Sequence, residues 1–242
     1  MSKQKYLVDE EGEVSEKVKQ CNETTGGGAE GKGKSYFFSA SKVFLRLLSP
    51  TRGKVLKAIK QADVEGLKAL HEAGEDVVGC VYENKLTALH KACDLGHTSV
   101  VSCLVDFGAK INAADQQLWT PLHFAVQETH HACLRVLLNA GADVNLRNRA
   151  GATALHMAVI NKDTVSLALL IRFKANINSK TESGLTPVRL AKATDSEKCL
   201  WILEKVVKVE VMGKMMSRED KQSMLDQYLD AQMHDVLQDP NS

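Results

Sequence analysis

The chain has 242 residues, 44% of them hydrophobic and 25% charged, with a formal net charge of +1. That length allows one sizeable core or two small ones, and the near-neutral balance excludes a general pull towards nucleic acid or an anionic membrane surface. No run of about 18 apolar residues is present to cross a bilayer. The opening MSKQKYLVDEEGEVSEK lacks the apolar stretch of a secretory signal. Six cysteines in a chain of this length are expected to stay reduced. The expected setting is the cytoplasm, with the nucleus open by diffusion to a chain of 26.5 kDa.

Residues 1–34 are charged, glycine-rich and poor in apolar side chains, which predicts a disordered segment. Within them begins GAEGKGKS, residues 28–35, which fits the phosphate-loop pattern G-x-x-x-x-G-K-[ST]. Such a loop works only between a buried strand and a helix of a parallel sheet. The preceding EVSEKVKQCNETTGG is polar, and no apolar run ending in a magnesium-binding Asp lies downstream. Nucleotide hydrolysis through Lys34 is therefore a remote alternative, and no cofactor is expected. Residues 35–52 form a basic aromatic segment, with Tyr36, Phe37, Phe38, Phe44, Leu45, Leu47 and Leu48 beside Lys42, Arg46 and Arg52. It reads first as an extra helix, Ser41 to Leu48, covering the exposed end of the region that begins at Gly53. The sharper alternative is an amphipathic segment, 36–48, that docks on a partner or on the periphery of a membrane.

Beyond this segment the sequence repeats. Thr87-Ala-Leu-His90, Thr120-Pro-Leu-His123, Thr153-Ala-Leu-His156 and Thr186-Pro-Val-Arg189 start 33 residues apart. Five residues after each Thr stands an alanine (Ala92, Ala125, Ala158, Ala191), and seventeen after each a leucine (Leu104, Leu137, Leu170, Leu203). Asn112, Asn145 and Asn178 recur in the same register. The Thr hydroxyl suits a helix N-cap, and Pro121 and Pro187 suit the first helical position, where an N–H is dispensable. Alanine permits close helix approach, and Gly108 and Gly141 suit the left-handed position after a second helix. The pattern predicts helix–turn–helix units with a projecting turn at 87–119, 120–152, 153–185 and 186–205. A degenerate, lysine-rich first unit fits 53–86, where Val55, Ala58, Leu67, Leu70 and Gly74 occupy the matching columns.

These tetrapeptides and this period resemble the ankyrin-repeat family over residues 53–205. The resemblance implies an all-α solenoid of about five helix–turn–helix units with β-turn-like projecting loops. It also implies a non-catalytic scaffold or adaptor that binds a protein partner through its concave face and turn tips, with no nucleic acid expected. In that family the column of His90, His123 and His156 hydrogen-bonds around the helix start. Carried over by column, the partner-binding positions are Asp94, Leu95, Gln127, Glu128, Ile160 and Asn161 on the short helices. The turns add Gln116, Gln117, Leu118, Trp119, Arg149 and Ala152. The family usually has Gly where Leu118 stands. Trp119 reads either as a binding anchor or as a side chain folded back beside Tyr82.

No catalytic or metal site is expected. His130-His131-Ala-Cys133 contains three potential zinc ligands, but adjacent histidines on a helix diverge and the spacing is not that of a zinc finger. The cysteines fall in columns shared with Val, Ser, Leu and Ile, which reads as packing. Residues 206–242 form a tail with an amphipathic helix at 217–238, opened by Ser217 with Asp220 and striped by Met224, Leu225, Tyr228, Leu229, Met233, Val236 and Leu237. That stripe either folds back on the array or meets another protein. The second case makes the chain a regulatory or targeting subunit, with the array choosing the client and the tail gripping an enzyme.

Overall fold

The computed structural model describes residues 50–212 together with Asp220, Ser223, Met224, Asp226, Gln227 and Asp230. The disordered segment expected at 1–34, the GAEGKGKS match, the helix expected at 41–48 and most of the tail helix lie outside the described residues. Among those described, ten α-helices fall into five pairs. They are α1 (Pro50–Lys60) with α2 (Val64–Glu72), α3 (Ala88–Asp94) with α4 (Thr98–Asp106), and α5 (Pro121–Gln127) with α6 (His131–Asn139). Then come α7 (Ala154–Ile160) with α8 (Thr164–Arg172), and α9 (Pro187–Ala193) with α10 (Glu197–Met212). The first helices of successive pairs pack on one another in one row, and the second helices pack in another. The fold is the all-α repeat solenoid that the columns predicted.

The columns explain why each helix starts where it does. Thr87, Thr120 and Thr153 hold extended backbone, and each enters a reciprocal cap with the His three residues on. The Thr N–H donates to the imidazole Nδ1 at 3.0, 3.2 and 3.2 Å in the three units. Arginine has no acceptor, so at Thr186 only the hydroxyl half survives, accepting from the Arg189 N–H at 3.4 Å. Ala92, Ala125, Ala158 and Ala191 are fully buried, as are Leu104, Leu137, Leu170 and Leu203. Together these columns form one continuous core through all five pairs.

Neighbouring units are also stitched by polar groups. Asn112 Oδ1 accepts from the Asp143 N–H at 3.0 Å, and Asn145 Oδ1 accepts from the Asn176 N–H at 2.8 Å. The recurring asparagines are thus joints between units. At the far end the second helix of the last unit does not stop near 205 but continues to Met212, because Val206 and Val209 extend its buried stripe. The described tail residues are helical and turn back on the array: Arg172 at the end of α8 donates to Asp230 at 3.0 Å and lies 3.8 Å from Asp226.

Candidate functional site

The second, third and fourth projecting turns are each closed by a side-chain acceptor on the first residue. The first turn, which begins at Tyr82, is closed by the backbone bond from the Tyr82 N–H to the Leu86 carbonyl at 2.7 Å. Asp115 Oδ1 accepts from the Gln117 and Trp119 N–H groups at 2.8 and 2.7 Å, while its own N–H donates to the Trp119 carbonyl at 2.9 Å. Asn148 does the same one unit later, accepting from Ala150 and Ala152 at 3.0 and 2.9 Å. Thr181 repeats the design more weakly, through the Leu185 N–H at 3.2 Å. The Asp, Asn, Thr column was readable as a turn signal, and its period makes the signal stronger.

The tips then bond to each other. The Gln116 N–H donates to the Asn84 carbonyl at 2.9 Å, the Arg149 N–H to Gln117 at 2.9 Å, and the Glu182 N–H to Ala150 at 3.0 Å. Arg147 adds a staple between the third and fourth turns, donating to the Gly151 and Lys180 carbonyls at 3.0 and 2.7 Å. The histidines brace the row from below. His90 Nε2 meets the Trp119 carbonyl at 3.1 Å, and His156 Nε2 meets that of Leu185 at 3.2 Å. Since Nδ1 accepts from the Thr N–H, Nε2 carries the proton in each neutral ring. Among the described residues, His123 Nε2 has no partner within hydrogen-bond geometry. Burial, opposed weakly by the Ala152 carbonyl, drives its pKa down to about 4. Burial likewise lowers His90 and His156.

The carried-over positions separate on this frame. Gln116, Gln117 and Arg149 are exposed at the tips. Leu118 is 49% exposed with φ +60, in the left-handed region that its counterparts Gly151 and Gly184 also occupy. Ala152 is 7% exposed, because the turn around Gly151 folds its methyl group onto the core, so it is withdrawn from the surface. Trp119 neither stands free nor lies beside Tyr82 as a ring contact. It is half-buried against the helix it precedes, with its ring 5.9 Å from that of His123 and 5.6 Å from that of Phe124. At the other end of the short helices Leu95 and Ile160 are exposed, 41% and 48%, and so is Glu128. Asp94 pairs with Lys91 at 3.6 Å, and Gln127 is half-buried. Asn161 has a structural task, donating to the Val126 and Gln127 carbonyls at 3.0 and 2.9 Å.

The potential zinc ligands go separate ways. His130 Nε2 reaches the Asp94 carbonyl at 3.2 Å, His131 Nε2 meets Asp163 Oδ2 at 2.8 Å, and buried Cys133 sits 3.4 Å from the Thr98 hydroxyl. Burial raises the pKa of Cys133, as it does for Cys93 and Cys199, so these are packed thiols. Among the described residues no helix is long and apolar enough to cross a membrane.

Stacked two-helix units with a braced row of turn tips define a repeat-solenoid interaction module. Family models described as ankyrin repeats, in 3 copies and in many copies, match residues 55–148 and 137–191. The chain belongs to the ankyrin-repeat family. Comparison with curated proteins finds no match. Ankyrin repeats are protein–protein interaction modules, and the partners they imply are proteins.

Proposed function

We propose that the chain is a non-catalytic adaptor that grips a protein partner with its second turn and with the exposed ends of its short helices. The observation that carries this reading is Leu118. A side chain with a Cβ in the left-handed region costs about 1–2 kcal/mol, and half of this leucine remains in solvent. Such strain persists where the surroundings over-determine it and is a pointer to function. Here the bonds to Asn84, Asp115, His90 and Arg149 fix the turn on every side. A preorganised apolar projection loses little freedom on binding.

Affinity capture with the wild type and with a variant carrying Leu95→Ser, Leu118→Gly and Ile160→Ser tests the reading. Proteins lost with the variant, while its helical signal and melting temperature hold, are the clients. Identical captured sets from both would refute the assignment of this face.

A targeting-subunit reading is kept by one further observation, the ion pairs of Arg172 with Asp226 and Asp230. Arg172 and Asp230 are exposed and Asp226 is partly so. Solvent-accessible pairs contribute about 0–1 kcal/mol each, so a partner can displace them. Deletion of residues 214–242 that keeps the clients but loses an enzyme would select this reading. Loss of neither would remove it.

A further inference from the structure

The chemistry of the turn row narrows the partner, given the interaction-surface reading above. Its anions are largely engaged within the row. Asp115 accepts two backbone N–H groups through one oxygen, and Glu182 lies 3.4 Å from Arg147 Nη2. Among the described residues, the exposed tip charges without an ion pair are Lys85, Arg149 and Lys180 against the single carboxylate of Glu83. Two of those cations flank Leu118. Lys85 occupies the same left-handed column one unit earlier, with φ +63. Arg149 is bonded through its N–H to Gln117, the residue preceding Leu118. The turn that carries Leu118 is therefore bonded through its backbone to one neighbouring turn bearing Lys85 and to another bearing Arg149, and the half-buried Trp119 follows Leu118 in the chain.

We propose that this row binds an acidic segment of a partner protein that carries one large apolar side chain. The apolar group seats against Leu118 and the uncovered part of Trp119, and carboxylates on either side of it reach Lys85 and Arg149. Opposite charges arranged in this way select partners and speed encounter more than they add raw affinity, while the apolar anchor sets the lifetime of the complex. Binding of this kind weakens as salt rises, because the paired charges are exposed.

The test is selection from a displayed library of random twelve-residue peptides on the full chain, followed by affinity measurement for three proteins. These are the wild type, the double variant Lys85→Glu/Arg149→Glu, and Leu118→Gly, each checked for folding by circular dichroism and thermal melting. Selected peptides are expected to carry Asp or Glu on both sides of a Leu, Phe or Trp. Both variants are expected to lose at least about tenfold in affinity, and the wild-type complex is expected to weaken between low and high salt. Selection of basic or uncharged peptides overturns the acidic class. If Leu118→Gly still abolishes their binding, the interaction surface itself stands and only the partner chemistry falls. Acidic peptides that bind the charge-reversed variant undiminished also overturn it, as does failure to select any peptide. A synthetic peptide of residues 217–238 that competes at the same turn, with a selected peptide displaced, would make the occupant internal and end the proposal.

Discussion

The turns Asp115–Trp119 and Asn148–Ala152 hang from the same frame and end differently. Each has a side-chain acceptor closing the turn, a backbone pair across its base and a bond to its neighbour's tip. Where the third turn has Gly151 and a buried Ala152, the second has Leu118, exposed and left-handed, and Trp119, half-buried on α5. The contrast teaches that the buried columns, and not the tip residues, specify the shape of the turn. Once the Thr–His caps, the alanines and the leucines set the stack, the tip is released to carry a residue its backbone does not favour. The third turn shows the relaxed solution, and the second has traded some stability for a fixed apolar projection.

Cutting the support that the two turns share should have the largest effect. Leu122 beneath the second turn and Leu155 beneath the third are 2% and 0% exposed. Leu122→Ala and Leu155→Ala are each expected to cost about 3 kcal/mol in urea unfolding, within the usual range for a buried leucine. Costs that differ by more than about 2 kcal/mol, the spread seen among buried leucines at fixed chemistry, would show that the frame is not common to both.

Acid provides an effect of comparable size. His123 titrates near 6.5 when unfolded and at about 4 when folded. Between those values the unfolded chain binds more protons. The stability contributed by the neutral ring is therefore complete above the unfolded value, falls as pH drops through the window, and is flat below the folded value. The full loss from this group is on the order of 3 kcal/mol, with His90 and His156 adding in the same direction. Unfolding midpoints at pH 7 and pH 4.5 should differ steeply in the wild type and by less in His123→Gln. A wild type as stable at pH 4.5 as at pH 7 would mean that the imidazoles are not buried neutral.

A smaller effect comes from reversing the difference between the turns. Gly151 has φ +72, and a Cβ there would lie 2.7 Å from the Glu182 backbone nitrogen and 2.5 Å from Arg147 Nη2. Gly151→Ala is expected to cost about 2 kcal/mol by strain and contact together, read as a lowered melting temperature. An unchanged melting temperature would show that the third turn tolerates what the second carries, and the contrast between them would lose its meaning.

Much of this was legible in the sequence, because a repeat writes the same physical requirement several times. Thr87, Thr120 and Thr153 with their histidines gave the helix starts, and the Ala and Leu columns gave the core. The Asn112 and Asn145 column was visible, but its purpose was not, since their partners lie 31 residues away in the next unit. Ala152 was assigned to the surface by its column, although a small side chain after a left-handed glycine is free to turn inward. Trp119 shows the same limit: its column faces the tip, but its ring is large enough to find His123 and Phe124. The stop expected near 205 failed because Val206 and Val209 continue the buried face of α10 beyond the length of a regular unit.

One substitution isolates the trade attributed to the second turn. Leu118→Gly relieves the left-handed strain, offset by the greater freedom of glycine in the unfolded chain, so melting temperature should hold or rise by the equivalent of up to about 1 kcal/mol. In the same preparation, affinity for a captured client should fall at least about tenfold. A lowered melting temperature with affinity unchanged would show Leu118 to be a packing residue, and the claim that this turn is built to bind would be contradicted.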